Sequence, residues 1–443
     1  MNKNYHVRPR LRVRVGGKGV VSHAGTRLLA DVADEVGLTE ALSAAMAPTR
    51  QRGGGWDRGR VLVDLAVMLA DGGEAISDLA VLRDQPGLFG EVASTPTAWR
   101  TLEAIDDDCL GRIAAARATA RERAWELGAD PGFCVIDIDA TLIGAHSDKE
   151  GAAPTYKRGF GFHPLGGWLD GTGEALACLL RPGNAGSGTA GDHVAVLDAA
   201  LAQVPMPASK VIARADSAGM SHGFLDGCRA RQVRFIVGHQ LTAEIAKVLV
   251  AVGDRRWRPA VTADGADERE VGEVAEITGL VDLSGWPAGT RMIARREDPH
   301  PGAQLTFTDL DGHRFQVFIT DLPDPDIAYL EALYRGRGRA ERSICDAKDL
   351  GMANLPSASF AINQAWLVLV GIAQDLLAWT KALTLNGDLA RAEPKRLRYC
   401  LLHTAGRIVT TSRQHTVRLA DNWPWASQLV AAFDQVAAFP LRA

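Results

Sequence analysis

The sequence has only six cysteines in 443 residues, and no two form a C-x-x-C pair. That excludes a zinc knuckle and a disulfide framework and points to a reducing compartment. Charge of one sign is also lacking: 49 basic residues against 53 acidic ones leave a net charge of −4. A protein that coats nucleic acid by bulk charge is thereby excluded, while local basic patches remain open. No long hydrophobic run is present. The most apolar stretch, 366–373, ends in Gln374-Asp375 and is too short to span a bilayer, and Met1 to His6 has no apolar segment behind its charge. A cytoplasmic protein with no membrane partner is expected. At 47% hydrophobic and 23% charged residues, disorder, collagen-like repeats and coiled coil are excluded as the main state. The length exceeds what one compact core usually holds, so several domains are expected.

Residues 1–130 read as a mainly helical region with a basic arm, a candidate DNA-binding region or an ordinary packing module. Arg8, Arg10, Arg12 and Arg14 alternate on an extended segment that ends at Lys18, which puts the cations on one face. That pattern suits a phosphate-contacting arm or a solubilising edge strand equally. Leu28, Leu29, Val32, Ala33 and Val36 repeat at helical spacing up to Gly37, and Thr39 is expected to cap the next helix. Thr95, as N-cap before Pro96, opens the second helix of a helix–turn–helix arrangement with Arg100 exposed. Such a helix suits a major groove or ordinary packing.

Residues 131–240 change pattern. Strands are expected at 133–143, 174–180, 211–216 and 233–237, with Gly166, Gly167, Gly171 and Gly173 in a turn and helices at 192–204 and 224–232. This is an α/β arrangement, a mixed sheet with helices packed on it. Residues 241–324 read as a β-rich insertion after one helix. Residues 325–385 return to helix, one from 327 to about 348 and an apolar one over 363–383. Residues 386–443 form a basic C-terminal region, with Lys395-Arg396-Leu397-Arg398, Arg407 and Arg413, ending in a helix near 425–436.

The helix after the insertion carries the most specific pattern. Tyr334, Arg337, Glu341 and Lys348 fall within an arc of roughly 60° at about 100° per residue. One stripe thus presents a phenol, a guanidinium, a carboxylate and an ammonium, which is a functional row or a solvated face with pairs such as Arg337–Glu341. Asp137 and Asp139 sit in an otherwise apolar strand, and Asp216 ends another. Ionised carboxylates in buried strands are costly unless paired or metal-bound. Three acids from two strands and one helix could hold two divalent cations for phosphoryl displacement.

The segments Asp137-Ile138-Asp139-Ala140-Thr141, Arg214-Ala215-Asp216-Ser217 and Tyr334-x-x-Arg337-x-x-x-Glu341-x6-Lys348 resemble the DDE transposases of bacterial insertion sequences. The last segment matches their Tyr–Arg–Glu–Lys signature at every spacing. The insertion sequence 1380 group is similar over nearly the whole chain, including Ser147-x-Lys149-Glu150, the loop from Tyr156-Lys157 to His163-Pro164-Leu165, Arg181-Pro182-Gly183-Asn184 and Pro394-Lys395-Arg396-Leu397-Arg398. The resemblance implies a ribonuclease-H-like catalytic core interrupted by the β-rich insertion. It implies cut-and-paste transposition on double-stranded DNA, at terminal inverted repeats and target, by a homodimer.

By the same resemblance Asp139, Asp216 and Glu341 are the catalytic metal ligands for two Mg²⁺ ions, with Mn²⁺ as a substitute, and Asp137 is a weaker candidate for the first ligand. Tyr334, Arg337 and Lys348 would grip DNA phosphates. Gly336 and Gly338 flank Arg337 and weaken its helix by roughly 1 kcal/mol each relative to Ala. Related enzymes stack a flipped base on an aromatic residue of the insertion, for which Trp257 and Trp286 are available, although either also suits the insertion's core. His163 and Lys157 suit the scissile phosphate or turn packing. Two other readings remain: a transposase-derived DNA-binding protein that no longer cuts, and a ribonuclease-H-like nuclease without strand transfer.

Overall fold

The computed structural model describes residues 12, 14–50, 55–145, 148–186, 188–299, 302, 309–411 and 414–440. Arg8, Arg10, Ser147 and Arg413 lie outside the described residues. The architecture is α/β, with helices packed on a ten-stranded mixed sheet.

The sheet is organised around Cys134–Ala140, whose run of apolar and β-branched residues is buried over its first five positions. A strand covered on both faces reads as this kind of near-continuous hydrophobic run. On one side it pairs antiparallel with Leu165–Leu169, which pairs antiparallel with Ala175–Leu179. On the other side it runs parallel to Val211–Ala215, which runs parallel to Arg234–His239. The helices Ala190–Leu201 and His222–Ala230 make the crossovers.

Gly166 and Gly167, expected in a turn, lie inside the strand Leu165–Leu169. A Cβ on Gly166 would come within 2.3 Å of the Trp168 ring, and one on Gly167 would meet Val196 of the overlying helix at 3.3 Å. These glycines make room for packing; only Gly171 and Gly173, at φ 84° and 73°, turn the chain.

The β-rich stretch expected as an insertion continues the same sheet. His313–Thr320 pairs antiparallel with Arg234–His239, and Arg291–Glu297, Glu268–Glu276 and Arg258–Val261 follow outward. No boundary in hydrogen bonding separates them from the strands at 131–240.

The first 130 residues are helical as expected, but their caps differ. Gly37, at φ 81°, precedes the helix Leu38–Met46, and Thr39 donates from inside it to Asp34 at 2.5 Å. Ser94 rather than Thr95 caps the helix Thr95–Glu103, with Arg100 exposed in it. The helices Arg27–Glu35, Arg58–Asp71, Thr95–Glu103 and Asp107–Ala124 pack against Phe360–Thr384. The C-terminal basic region contributes a hairpin, Gly406–Thr411 with Gln414–Leu419, which pairs with Val20–Val21.

Phe360–Thr384 spans 25 residues and is long and apolar enough, by length and composition alone, to cross a membrane; 72% of its apolar window is buried within this fold. Asp375, midway along it, is fully buried and meets Arg117 and Arg121 at 2.8 Å each while accepting the Ala175 amide at 3.0 Å. Glu174 continues the network, accepting from Arg121 at 2.9 Å and from the Trp379 indole at 2.7 Å. The network joins the long helix, Asp107–Ala124 and the sheet edge. Removing one partner of a buried pair leaves an uncompensated charge. Asp375→Ala is therefore expected to cost about 3–5 kcal/mol in chemical denaturation; a loss below about 1 kcal/mol would mean the network contributes little.

Candidate active site

Asp139 and Asp216 stand side by side at the carboxyl ends of two parallel strands. The register pairs Ile138 with Ala215, so the next residue on each strand is an acid. Asp139 is half-buried; its Oδ1 accepts the adjoining Ala140 amide at 2.8 Å. Asp216 follows its strand directly, and its Oδ1 accepts the Ala218 and Gly219 amides at 2.9 and 3.2 Å, closing a local turn. Gly238 on the next strand lets this turn approach. A Cβ there would lie 2.8 Å from the Ser217 amide nitrogen and 2.3 Å from the Tyr334 hydroxyl.

The helix expected from 327 to about 348 is interrupted. It runs as Ile327–Arg335 and Gly338–Ala347, with Gly336 and Arg337 in helical φ/ψ at the junction. Glycine at 336 has a packing reason: a Cβ there would lie 2.6 Å from the Arg214 guanidinium. At Gly338 nothing approaches within 4 Å.

Arg337 joins the three elements. Its Nη2 lies 2.9 Å from Asp139 Oδ2 and 3.6 Å from Asp216 Oδ2. Glu341 is exposed one turn further on, with no hydrogen bond or ion pair among the described residues. Burial pushes the Asp139 carboxyl above its ordinary range; Arg337 pulls it back down, and the negative charges of Asp216 and Glu341 add to the rise. Those acids therefore share one field.

Tyr334 stacks on Phe318 with ring centroids 4.7 Å apart, and burial raises its phenol above the usual value. Its hydroxyl lies over the Asp216 turn, as the contact at Gly238 requires. Lys348 directly follows the helix Gly338–Ala347, seven residues beyond Glu341, with no side-chain partner among the described residues. The structure thus brings together Asp139, Asp216, Tyr334 and Arg337, with Glu341 one turn further along the helix and Lys348 beyond it.

Asp137 is engaged elsewhere. It is 2% exposed and receives the Nε and Nη2 of Arg214 at 2.6 and 2.7 Å. Burial pushes it up to about 6 against the pull of that guanidinium. Arg214, which the pattern reading passed over, is fully buried and also meets Asp170 at 3.0 Å and the Leu333 carbonyl. Asp170 in turn holds Arg339 of the Glu341 helix at 2.5 Å. A signal was present: Arg214 lies two residues before Asp216 on an apolar strand, hence on the same face.

His163 is buried with Nδ1 3.0 Å from the Ala185 carbonyl, and Lys157 lies over the Tyr156 ring, so both have local packing roles. Trp257 is buried under Arg296, whereas half-buried Trp286 stacks on His222 at 4.1 Å.

The donor set suits a hard divalent cation: carboxylate oxygens at adjacent strand ends, two of which already share one positive group. The three acids stand wider than a closed cluster. Among the described residues, only His23, Asp71 and His403 put three ligand atoms within 4.8 Å of one another.

Comparison with known proteins gives the class. The sequence matches the family described as transposase DDE domain group 1 over residues 3–441, and the chain belongs to that family. It is similar to the piggyBac transposase, solved by cryo-EM as a synaptic complex with hairpin DNA, at 10% identity and a TM-score of 0.41, covering 88% of this chain and 83% of that one. No curated protein matches the sequence significantly.

Arg214 is the structural keystone of this site. Arg214→Met leaves Asp137 and Asp170 without their buried partner and is expected to cost about 3–5 kcal/mol in denaturant unfolding. A variant as stable as the parent would show that the acids repartner without it.

Proposed function

We propose that this chain is an insertion-sequence transposase of the Tyr–Arg–Glu–Lys kind, closest to the insertion sequence 1380 group. It binds terminal inverted repeats, nicks them hydrolytically and transfers the freed 3′-hydroxyl to phosphodiesters of target DNA, acting in the cytoplasm as a homodimer. Family membership supports the transposase class. The finer reading is supported by the strand order, three antiparallel strands followed by two parallel ones, which is that of a ribonuclease-H-like core. The acids stand at the carboxyl ends of its strands, where open α/β sheets bind their ligands. The observation that carries the reading is Arg337, which draws Asp139 and Asp216 onto the helix bearing Glu341.

Asp139, Asp216 and Glu341 are the groups that would hold a Mg²⁺ pair, with Mn²⁺ as the substitute. When bound, such a pair supplies activation of an oxygen nucleophile and stabilisation of the leaving oxygen. The chain's own residues do the positioning. Arg337 offsets the charge of two acids in the protein alone, and its side chain is partly exposed, within reach of a phosphodiester oxygen. Tyr334, a phenol whose burial raises it further above its ordinary value, is a hydrogen-bond donor available to the DNA backbone. Lys348 adds a point charge further along the strand of DNA.

Incubation with Mg²⁺ and the element's inverted repeats tests this. Strand-transfer products are expected. Cleavage alone would favour a nuclease, and a shifted but uncut band a DNA-binding derivative. Glu341→Gln should abolish cleavage, by a thousandfold or more on the order of one lost catalytic group, while leaving end binding within about twofold; loss of folding instead would make Glu341 structural. Arg337→Ala should weaken end binding and reduce the slope of log K against log salt by about 1, as one phosphate contact is lost. An unchanged slope would remove Arg337 from the DNA interface.

A further inference from the structure

We propose a second cation site, remote in sequence from the acids above and independent of their reading: a transition-metal site of the Zn²⁺ class formed by His23, Asp71 and His403. Their ligand atoms all lie within 4.8 Å of one another. His23 Nε2 is 3.6 Å from Asp71 Oδ2, and His403 Nε2 is 3.2 Å from Asp71 Oδ1. Two ligands about 2.0–2.2 Å from one tetrahedral ion stand roughly 3.3 Å apart, so these separations fit a shared ion. Two imidazoles and one carboxylate are borderline donors, the set that favours Zn²⁺ over Mg²⁺ or Ca²⁺. Three protein ligands leave a fourth position for water.

The surroundings are those of a ligand set rather than a chance cluster. The Asp71 carboxylate is 5% exposed, and its Oδ1 also accepts from the Thr26 hydroxyl. His23 Nδ1 faces the Ser22 hydroxyl at 2.7 Å. A hydroxyl that accepts from Nδ1–H fixes ring orientation and the tautomer that leaves Nε2 as the ligating atom. Asp71 is the last residue of the helix Arg58–Asp71, where a buried negative charge is disfavoured by the helix dipole and a cation is favoured. The Asp71 carbonyl lies 2.8 Å from His403 Nε2 and accepts from it while that nitrogen carries a proton, so an ion binding there must displace that proton. The His403 side chain is 41% exposed, so an ion has a route in.

The three residues come from three separated segments. The backbone around His23 is already tied to that around His403, Ala24 N to Thr404 O at 3.0 Å and Thr26 N to Leu402 O at 3.2 Å. An ion there would clamp the segment leading from the basic arm, and the C-terminal hairpin, to the end of one core helix. A protonated His403 on Asp71 is the rival way to neutralise the buried carboxylate, and the test separates the two.

The full-length protein, stripped with chelator and incubated with Zn²⁺, is dialysed and its metal measured. Retention of one equivalent is expected, with a rise in Tm. Co²⁺ should give the intense visible absorption of a tetrahedral site, lost on adding Zn²⁺. His23→Gln and His403→Gln should lose both signals, whereas Asp139→Asn and Glu341→Gln should keep them, so failure here is distinct from failure of the catalytic reading. Thr26→Val, which keeps all three ligands, should weaken Zn²⁺ binding by about tenfold. Parent protein that retains no Zn²⁺, or His variants that retain it as the parent does, would overturn the assignment. Circular dichroism of the metal-free variants shows whether they are folded.

Discussion

A guanidinium with no exposure to water must be surrounded by acids and carbonyls, because a buried charge without partners is too costly to keep. Arg214 meets that requirement from three parts of the chain: Asp137 on the neighbouring strand, Asp170 in the turn beyond Leu169, and the Leu333 carbonyl at the end of a helix. Asp170 then takes Arg339 as well. Through these contacts the helix carrying Glu341 is seated against the strands carrying Asp139 and Asp216. Gly336 is part of the same constraint, since only a residue without Cβ fits beside the Arg214 head group. The strands and helix that carry these acids are brought together by a buried polar framework behind them.

Electrostatics in front of that framework follow from it. With the helix seated, Arg337 reaches both strand-end carboxylates, and Glu341 is left exposed, with no ion pair among the described residues. One cation shared by two acids, with a third acid on the same helix, is a field suited to positive charge. It also explains how so many like charges coexist in the protein by itself.

Much of this was legible in the sequence. Period-two and β-branched runs located Cys134–Ala140, Val211–Ala215 and Arg234–His239 to within a few residues, and the spacing of Tyr334, Arg337 and Glu341 put them on one helical stripe. What escaped reading depended on three-dimensional neighbours. Gly166 and Gly167 look like a turn until the Trp168 ring and the helix above them are in place. Asp137 and Asp139 are equivalent by alternation, and only the partner on the adjacent strand assigns Asp137 to Arg214. The strands of 241–324 give no sign in their own composition that they extend the central sheet, because edge pairing is set by the strand they meet.

The pairing of Val20–Val21 with Gly406–Arg407 has a consequence for biogenesis. Val21 finds its β-partner Gly406 only after a further 385 residues (406 − 21) have left the ribosome, so closure of this seam is a late, long-loop event. Until then Val20 and Val21 have no strand to pair with, and the seam stays open in an incompletely synthesised chain.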